Sequence, residues 1–317
     1  MGTYLLRRGL ETATSILVVA FLLFALLDLM PGDPIDLMLA ADPRLTSADA
    51  ARLRALHGLD RPLVDRFLAW LGAALAGELG YSRLYALPVT EILLPRLLAT
   101  LALVGTSLAI ALPLALLLGA AAALRPGTRL DRAINLLAFL AFSVPSFWLA
   151  LILIVVFAVL LGWLPAGGEP VGPVVGLADW VRHLTLPVAT LTLLGLGPFL
   201  RFVRAGLLEA LREPCIRTAR AKGASTLRVV VHHALPQAAP ALVTILALQI
   251  GGLLSGALVV ETVFAWPGMG RLILEAIQGN DYNLALVAVL LGTVATLLSN
   301  LAADLAHARL DPRIRPG

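Results

Sequence analysis

Long apolar runs, bounded by arginines or by proline- and glycine-rich turns, constrain this chain more than any other feature. They fall at residues 12–30, 97–124, 134–163, 186–200, 242–260 and 284–306. About 20 apolar residues cross the hydrocarbon of a bilayer as an α-helix, where each backbone N–H and C=O must be satisfied within the protein. The runs predict an all-α polytopic membrane protein with six transmembrane helices. Composition agrees, with 59% hydrophobic and only 14% charged residues against roughly 25% charged in a soluble domain. Mean hydropathy is +0.91. The net charge of +4 lies beside the apolar runs, which speaks against nucleic-acid binding and for the positive-inside rule. Arg7 and Arg8, then Arg125, Arg129 and Arg132, then the arginines from Arg201 to Arg228, then Arg309, Arg313 and Arg315 fall on alternate sides of successive runs. Six helices with both termini in the cytoplasm put all four clusters inside. The first run ends in Pro31-Gly32-Asp33-Pro34 with no small-residue cleavage site, and so reads as a retained helix, not a signal peptide. Cys215 is the single cysteine, which excludes an intrachain disulfide and a Cys-based metal motif. With no long linker or short repeat, residues 1–317 read as one transmembrane domain.

Two polar regions interrupt the runs. In residues 33–96 the charges nearly cancel. Thr46-Ser47-Ala48-Asp49 starts a helix that continues to Leu56, and residues 64–75 are amphipathic, with Phe67, Trp70 and Leu71 on one side. A small helical extracytoplasmic region is expected there. The second region, residues 209–236, is basic and sits between two apolar runs. Pro214 suits the first turn of a helix, Ala219 to Lys222 are strong helix formers, and Gly223 is placed to end that helix in a left-handed conformation. Ser225 or Thr226 caps a second helix, with Leu227, Val230, Val231 and Ala234 as its apolar stripe. Two short helices joined at a glycine elbow and tethered to the membrane at both ends form a shape suited to docking a partner.

This segment resembles the "EAA" loop of ATP-binding-cassette (ABC) importer membrane subunits, a Glu-Ala-Ala-x-x-x-Gly core with a later Leu-Pro. Here the core reads Arg217-Thr218-Ala219-Arg220-Ala221-Lys222-Gly223, followed by Leu235-Pro236. Arg217 stands where the family has glutamate, and the glycine is kept. The core, together with Pro31 to Pro34, Gly58 to Leu63, Gly77 to Ser82, Ser143 to Trp148, Glu261 to Arg271 and Leu310 to Arg315, is similar to the dipeptide/oligopeptide/nickel permease branch, first-permease type. The resemblance implies a multi-pass subunit of the bacterial inner (plasma) membrane that forms half of a pathway for dipeptides, oligopeptides or related solutes. A nickel or metal-chelate permease of the same family is the alternative. It implies as partners a second homologous permease, two cytoplasmic ATPases that bind the ATP and Mg this chain does not, and an extracytoplasmic solute-binding protein. Arg217, Thr218, Ala219, Lys222, Gly223, Leu235 and Pro236 would couple the chain to its ATPase.

Catalytic chemistry finds no footing in the sequence. A phosphate-cradling Gly-x-x-x-x-Gly-Lys-Ser/Thr is missing, so the chain is not expected to be an enzyme. His232 and His233 are adjacent and point about 100° apart on a helix, unlike an i, i+4 metal pair, and no metal site is expected. Polar residues within the runs are few: Asn135, Gln249, Asn300 and Asp304, with Asp28 near an end. A charge at mid-membrane costs about 2.5–3.5 kcal/mol on insertion scales, so these groups should face other helices or a pathway. Gln249, Glu261, Phe264 and Trp266 are the pathway or gate candidates, with Glu261 and Arg271 a possible pair. Packing through Gly252-x-x-x-Gly256 and interfacial anchoring by Trp266 are the competing structural readings. A secondary transporter would show internal repeats and charged residues in its helices, and an intramembrane enzyme would need a mid-span His beside a Ser.

Overall fold

The computed structural model describes residues 2–29, 46, 52, 60–171, 175–239, 242–243 and 257–310. Among these the regular structure is helical, apart from an isolated bridge between Tyr81 and Pro88. The first helix, α1 (Gly2–Asp28), is followed by the amphipathic α2 (Leu63–Leu75), whose Phe67 is buried. Phe67 meets Phe21 and Phe24 of α1 edge-on, with ring centroids 5.2 and 5.7 Å apart. The expected helix from Thr46 to Leu56 lies outside the described residues, save for positions 46 and 52.

The second apolar run is longer than its hydropathy suggests. Helix α3 (Val89–Leu124) has 36 residues, about 54 Å at 1.5 Å per residue. Its first two turns therefore belong to the polar stretch 33–96. The third run is not one straight span. Helix α4 (Arg129–Ser143) and helix α5 (Ser146–Leu153), which continues as a π-helical turn over Ile154–Leu160, meet at 103°. The break is local chemistry. Pro145 has no N–H for a continuing helix, and it pushes the preceding Val144 out of the helical region, to φ −81°, ψ 127°.

Helix α6 (Leu177–Ala210) carries the fourth run and keeps Pro187 and Pro198 inside it. It lies beside α3 with the same direction: Ser107 approaches Val188 and Thr192, and Gly119 approaches Val203. Ala111, Ala115, Gly119 and Ala122 of α3 are all buried. A stripe of small residues at this spacing lets helix backbones approach closely. Ile134 and Ala138 of α4 and Leu196, Phe199 and Leu200 of α6 close the same core. Past the basic loop come α7 (Pro214–Ala221) and α8 (Thr226–Val229), the latter widening into a π turn over Val230–Ala234. The last described helices are α9 (Met269–Gln278) and α10 (Tyr282–Leu310).

Among the described residues, helices α1, α3, α6 and α10 are each long and apolar enough to cross a membrane, and the bent α4–α5 pair, taken together, passes the same test. The run at 242–260 falls mostly outside the described residues, and with it Gln249 and the Gly252-x-x-x-Gly256 face. Asn135 donates to Asp131 Oδ1 at 2.7 Å, and Asp304 faces Arg8 across α1 and α10 at 3.5 Å. Both polar groups therefore meet protein partners.

Candidate functional site

At one end of the bundle α6 runs into the 209–236 loop, and the loop folds as two helices about a glycine. Pro214 occupies the first turn of α7, where its missing N–H is no loss. Gly223 follows α7 at φ +81°. Its N–H donates to Arg220 O at 2.9 Å, and that of Ala224 donates to Ala219 O at 3.1 Å. These two bonds form a Schellman motif, which consumes carbonyls that a helix end otherwise leaves unpaired. Ser225 Oγ then accepts the Arg228 N–H at 3.4 Å and caps α8.

The elbow has a buried underside and an open upper face. Ile216, Ala219, Val229, Ala234 and Ala238 pack with Val203, Leu207 and Ala210 of α6 and Ala123 of α3. Arg217, Thr218, Lys222, Gly223, Arg228 and Pro236 are exposed, and Leu235 is half-buried. Leu227 is 74% exposed and Val231 44%, so the buried stripe is Val229, Val230 and Ala234 instead of the Leu227-centred one. The π turn, with its i→i+5 bonds, is the cause: it puts Val229 and Ala234 on one side. A groove of 470 Å³ opens beside the elbow between Cys215, Thr218, Lys222, Gly223, Arg228 and His233. The upper face thus offers four basic side chains, Arg217, Lys222, Arg220 and Arg228, around an apolar Leu227.

At the opposite end the segment 261–271 is knitted into the core. Glu261 is fully buried. One carboxylate oxygen accepts the Thr100 hydroxyl at 2.6 Å. The other accepts the N–H of Gly270 at 2.8 Å and of Arg271 at 3.1 Å. Thr100 Oγ1 in turn accepts the Met269 N–H at 2.8 Å. Two side chains from elsewhere in the chain therefore cap all three of the first N–H groups of α9, and the carboxylate also sits at the positive end of the helix dipole. Gly268 has to be a glycine because a Cβ there would overlap the Glu261 carboxylate. The sequence pattern held no signal for Thr100, which lies 161 residues away on α3.

The candidate side-chain pair between Glu261 and Arg271 does not form. Glu261 binds the Arg271 backbone, and the guanidinium goes to Glu275 at 2.7 Å and to the Ala265 carbonyl at 2.5 Å. Phe264 and Trp266 are buried with Leu103, Val104, Leu186 and Leu191. The Trp266 indole donates to Ala99 O at 3.1 Å, and its ring meets Trp180 edge-on at 5.9 Å. Trp266 thus belongs to the helix core at this end, not to a lipid-facing belt. Nearby, Asp281 holds the stretch after α2: its Oδ2 accepts the Ser82 hydroxyl at 2.5 Å and the Leu84 N–H at 2.9 Å. Tyr85 donates to Glu275 at 2.8 Å, and burial, helped by that carboxylate, raises the Tyr85 pKa.

A helical bundle with several membrane-length helices and a helix–glycine–helix loop docked on one end defines a polytopic transport subunit. The comparisons agree. Residues 115–316 match the family described as binding-protein-dependent transport system inner membrane component, and the chain belongs to that family. It is 35% identical over 316 residues to the oligopeptide transport system permease protein AppB of Bacillus subtilis (strain 168), with 99% of each chain covered. It is 37% identical to the di/tripeptide transport system permease protein DppB of Pseudomonas aeruginosa (strain UCBPP-PA14), with 94% of each covered. It is 38% identical to the glutathione transport system permease protein GsiC of Salmonella choleraesuis (strain SC-B67), with 99% of each covered. The fold is that of the inward-facing MetNI methionine ABC transporter, at a TM-score of 0.53 and 22% identity over 70% of this chain and 97% of that one. The chain is an ABC importer permease subunit.

Proposed function

We propose that this permease carries peptides or peptide-like solutes and works with separate ATPases that dock on the elbow at Gly223. The observation that carries the reading is the two-sided loop. Its underside is fused to the ends of α6 and α3, and its upper face presents Leu227, Arg217, Lys222 and Arg228, all exposed among the described residues. A loop held this firmly from below transmits a push on its upper face to the long helices. The full-length likeness to AppB, DppB and GsiC favours a peptide-like cargo over nickel or a metal chelate.

On this reading both termini and the elbow lie in the cytoplasm, as the basic clusters indicate. The segment 261–271 is the outer gate, and Gln249 borders the pathway. The second permease half is a homologous chain, two ATPases bind the ATP and Mg, and a solute-binding protein delivers cargo from outside. Phe264 and Trp266 close the outer end by filling it, and the capped α9 fixes where that plug sits. The test is reconstitution of the chain with its partner permease, ATPases and binding protein in proteoliposomes, followed by uptake of a labelled di- or tripeptide. ATP-dependent peptide uptake is expected. Uptake driven by an ion gradient without ATP would overturn the coupling, and ATP-dependent uptake of a nickel chelate but no peptide would overturn the cargo.

A further inference from the structure

A second ionic site lies between the elbow and the bend in the third span. Asp131 stands in the first turn of α4 and is 4% exposed. Its Oδ1 accepts Arg204 Nε at 2.6 Å and Asn135 Nδ2 at 2.7 Å. Its Oδ2 accepts Arg204 Nη2 at 2.8 Å and the Gly127 N–H at 2.9 Å. All four hydrogen bonds are made, and the two from Arg204 form a fork that fixes orientation as well as distance.

The location gives the pair its meaning. Arg204 sits on α6 between Leu200, which packs with α4, and Leu207, which packs with the elbow. Beside Arg204 the helices are already tight: a Cβ on Gly119 of α3 would lie 2.6 Å from the Val203 side chain and 3.3 Å from the Arg204 backbone nitrogen. Further along, a Cβ on Gly197 of α6 would lie 2.7 Å from the Ala138 carbonyl of α4. Packing of this closeness resists sliding, and it permits discrete rearrangements in place of gradual ones. Buried ion pairs contribute little net stability, since an apolar pair of similar volume is often as good or better. A carboxylate and a guanidinium at this depth are better explained by registration of the two helices.

We propose that Asp131 and Arg204 are positioning residues of transport, locking α4 to α6 so that the elbow loop, α6 and the bent α4–α5 arm move as one body. A push on the elbow then reaches Pro145 and the arm beyond it without being absorbed by sliding between α4 and α6. The inference rests on the elbow's being the ATPase-docking surface.

The experiment uses the whole importer in proteoliposomes and reads three quantities: melting temperature of the complex, ATP hydrolysis, and peptide taken up per ATP. Asp131→Ala leaves the half-buried Arg204 unpaired, and is expected to lower the melting temperature. The apolar pair D131L/R204M is expected to restore the melting temperature yet still to lower uptake per ATP roughly tenfold, within the 5–150-fold that coupling between sites spans. Arg204→Lys keeps the charge but loses the fork, and is expected to lower uptake per ATP about threefold at unchanged abundance. Wild-type uptake per ATP in the apolar pair and in Arg204→Lys would show that the ion pair only stabilises, and would overturn the proposal. Failure of the elbow reading is distinct, because Gly223→Val in the same importer would then keep wild-type ATPase copurification and uptake.

Discussion

Gly223 and Ala224 are neighbours under different obligations. Gly223 has φ +81° and open space where a Cβ would stand. Any penalty for a side chain there is backbone strain, on the order of 1 kcal/mol, somewhat more for a β-branched one. Such a cost does not prevent membrane insertion, but it reorients α7 against α8. Gly223→Val is expected at wild-type abundance with loss of ATPase association and of most uptake, and Ala224→Val is expected to be much milder. ATPase copurification and uptake at matched abundance distinguish them, and equal near-wild-type behaviour would reduce the elbow to a plain loop. Gly223 was legible in the sequence because helix formers ahead of a lone glycine carry their own stop signal. The Glu261 cap was not legible, since its meaning depends on Thr100 and on the Gly268 turn. Removing the carboxylate strands buried N–H groups at about 1–3 kcal/mol each. Glu261→Ala should therefore melt lower than Glu261→Gln, which retains an acceptor of the same shape. A thermal scan of the purified subunit in detergent checks the order, and equal melting of both variants and the wild type would remove α9 capping from the account of this end.

Helices announced themselves through length, whereas their breaks depended on detail. The runs at 97–124, 186–200 and 284–306 all became long helices, and each extended past its apolar core. The run at 134–163 hid the 103° bend because hydropathy is blind to a missing N–H. The Ser143-Val-Pro145 triplet was the available signal, through the bias that proline places on the residue before it. The stripe of α8 was misread for a related reason. Period-3.6 reasoning selects Leu227, Val230, Val231 and Ala234; Val230 and Ala234 are buried, Leu227 and Val231 are exposed, and the π turn brings Val229 in beside Ala234. The bend carries its own prediction. Pro145→Ala returns the donor and frees Val144 to become helical, so α4 can run on and the α5 arm loses its angle. Abundance should be retained, and uptake should fall several-fold. Unchanged uptake would mean that packing of Ala150 against α3 and α6 sets the angle without help from the proline.

For the molecule as a whole, the question that organises everything else is which end faces the cytoplasm. The elbow and the Glu261 cap lie at opposite ends of α3 and α6, because the elbow packs on Ala123, Val203 and Leu207 whereas Glu261 bonds Thr100. Whatever side one occupies, the other occupies the reverse. Arginines bear on the matter through the positive-inside rule. The elbow end gathers Arg125, Arg129, Arg132, Arg201, Arg204, Arg212, Arg217, Arg220 and Arg228, whereas at the opposite end Arg96 and Arg271 face Glu275 and Glu261 and Asp281 are buried. On the proposed function, retention of short basic segments on the cytoplasmic side would put the elbow inside and the Trp266 plug outside. In a Cys215→Ser background, single cysteines at the exposed positions Ala76 and Thr226 should react oppositely with an impermeant maleimide applied to intact cells. Ala76→Cys is expected to label directly, and Thr226→Cys only after the membrane is opened. Labelling of Thr226→Cys in intact cells would invert the subunit, and with it the assignment of elbow to ATPase and plug to outer gate.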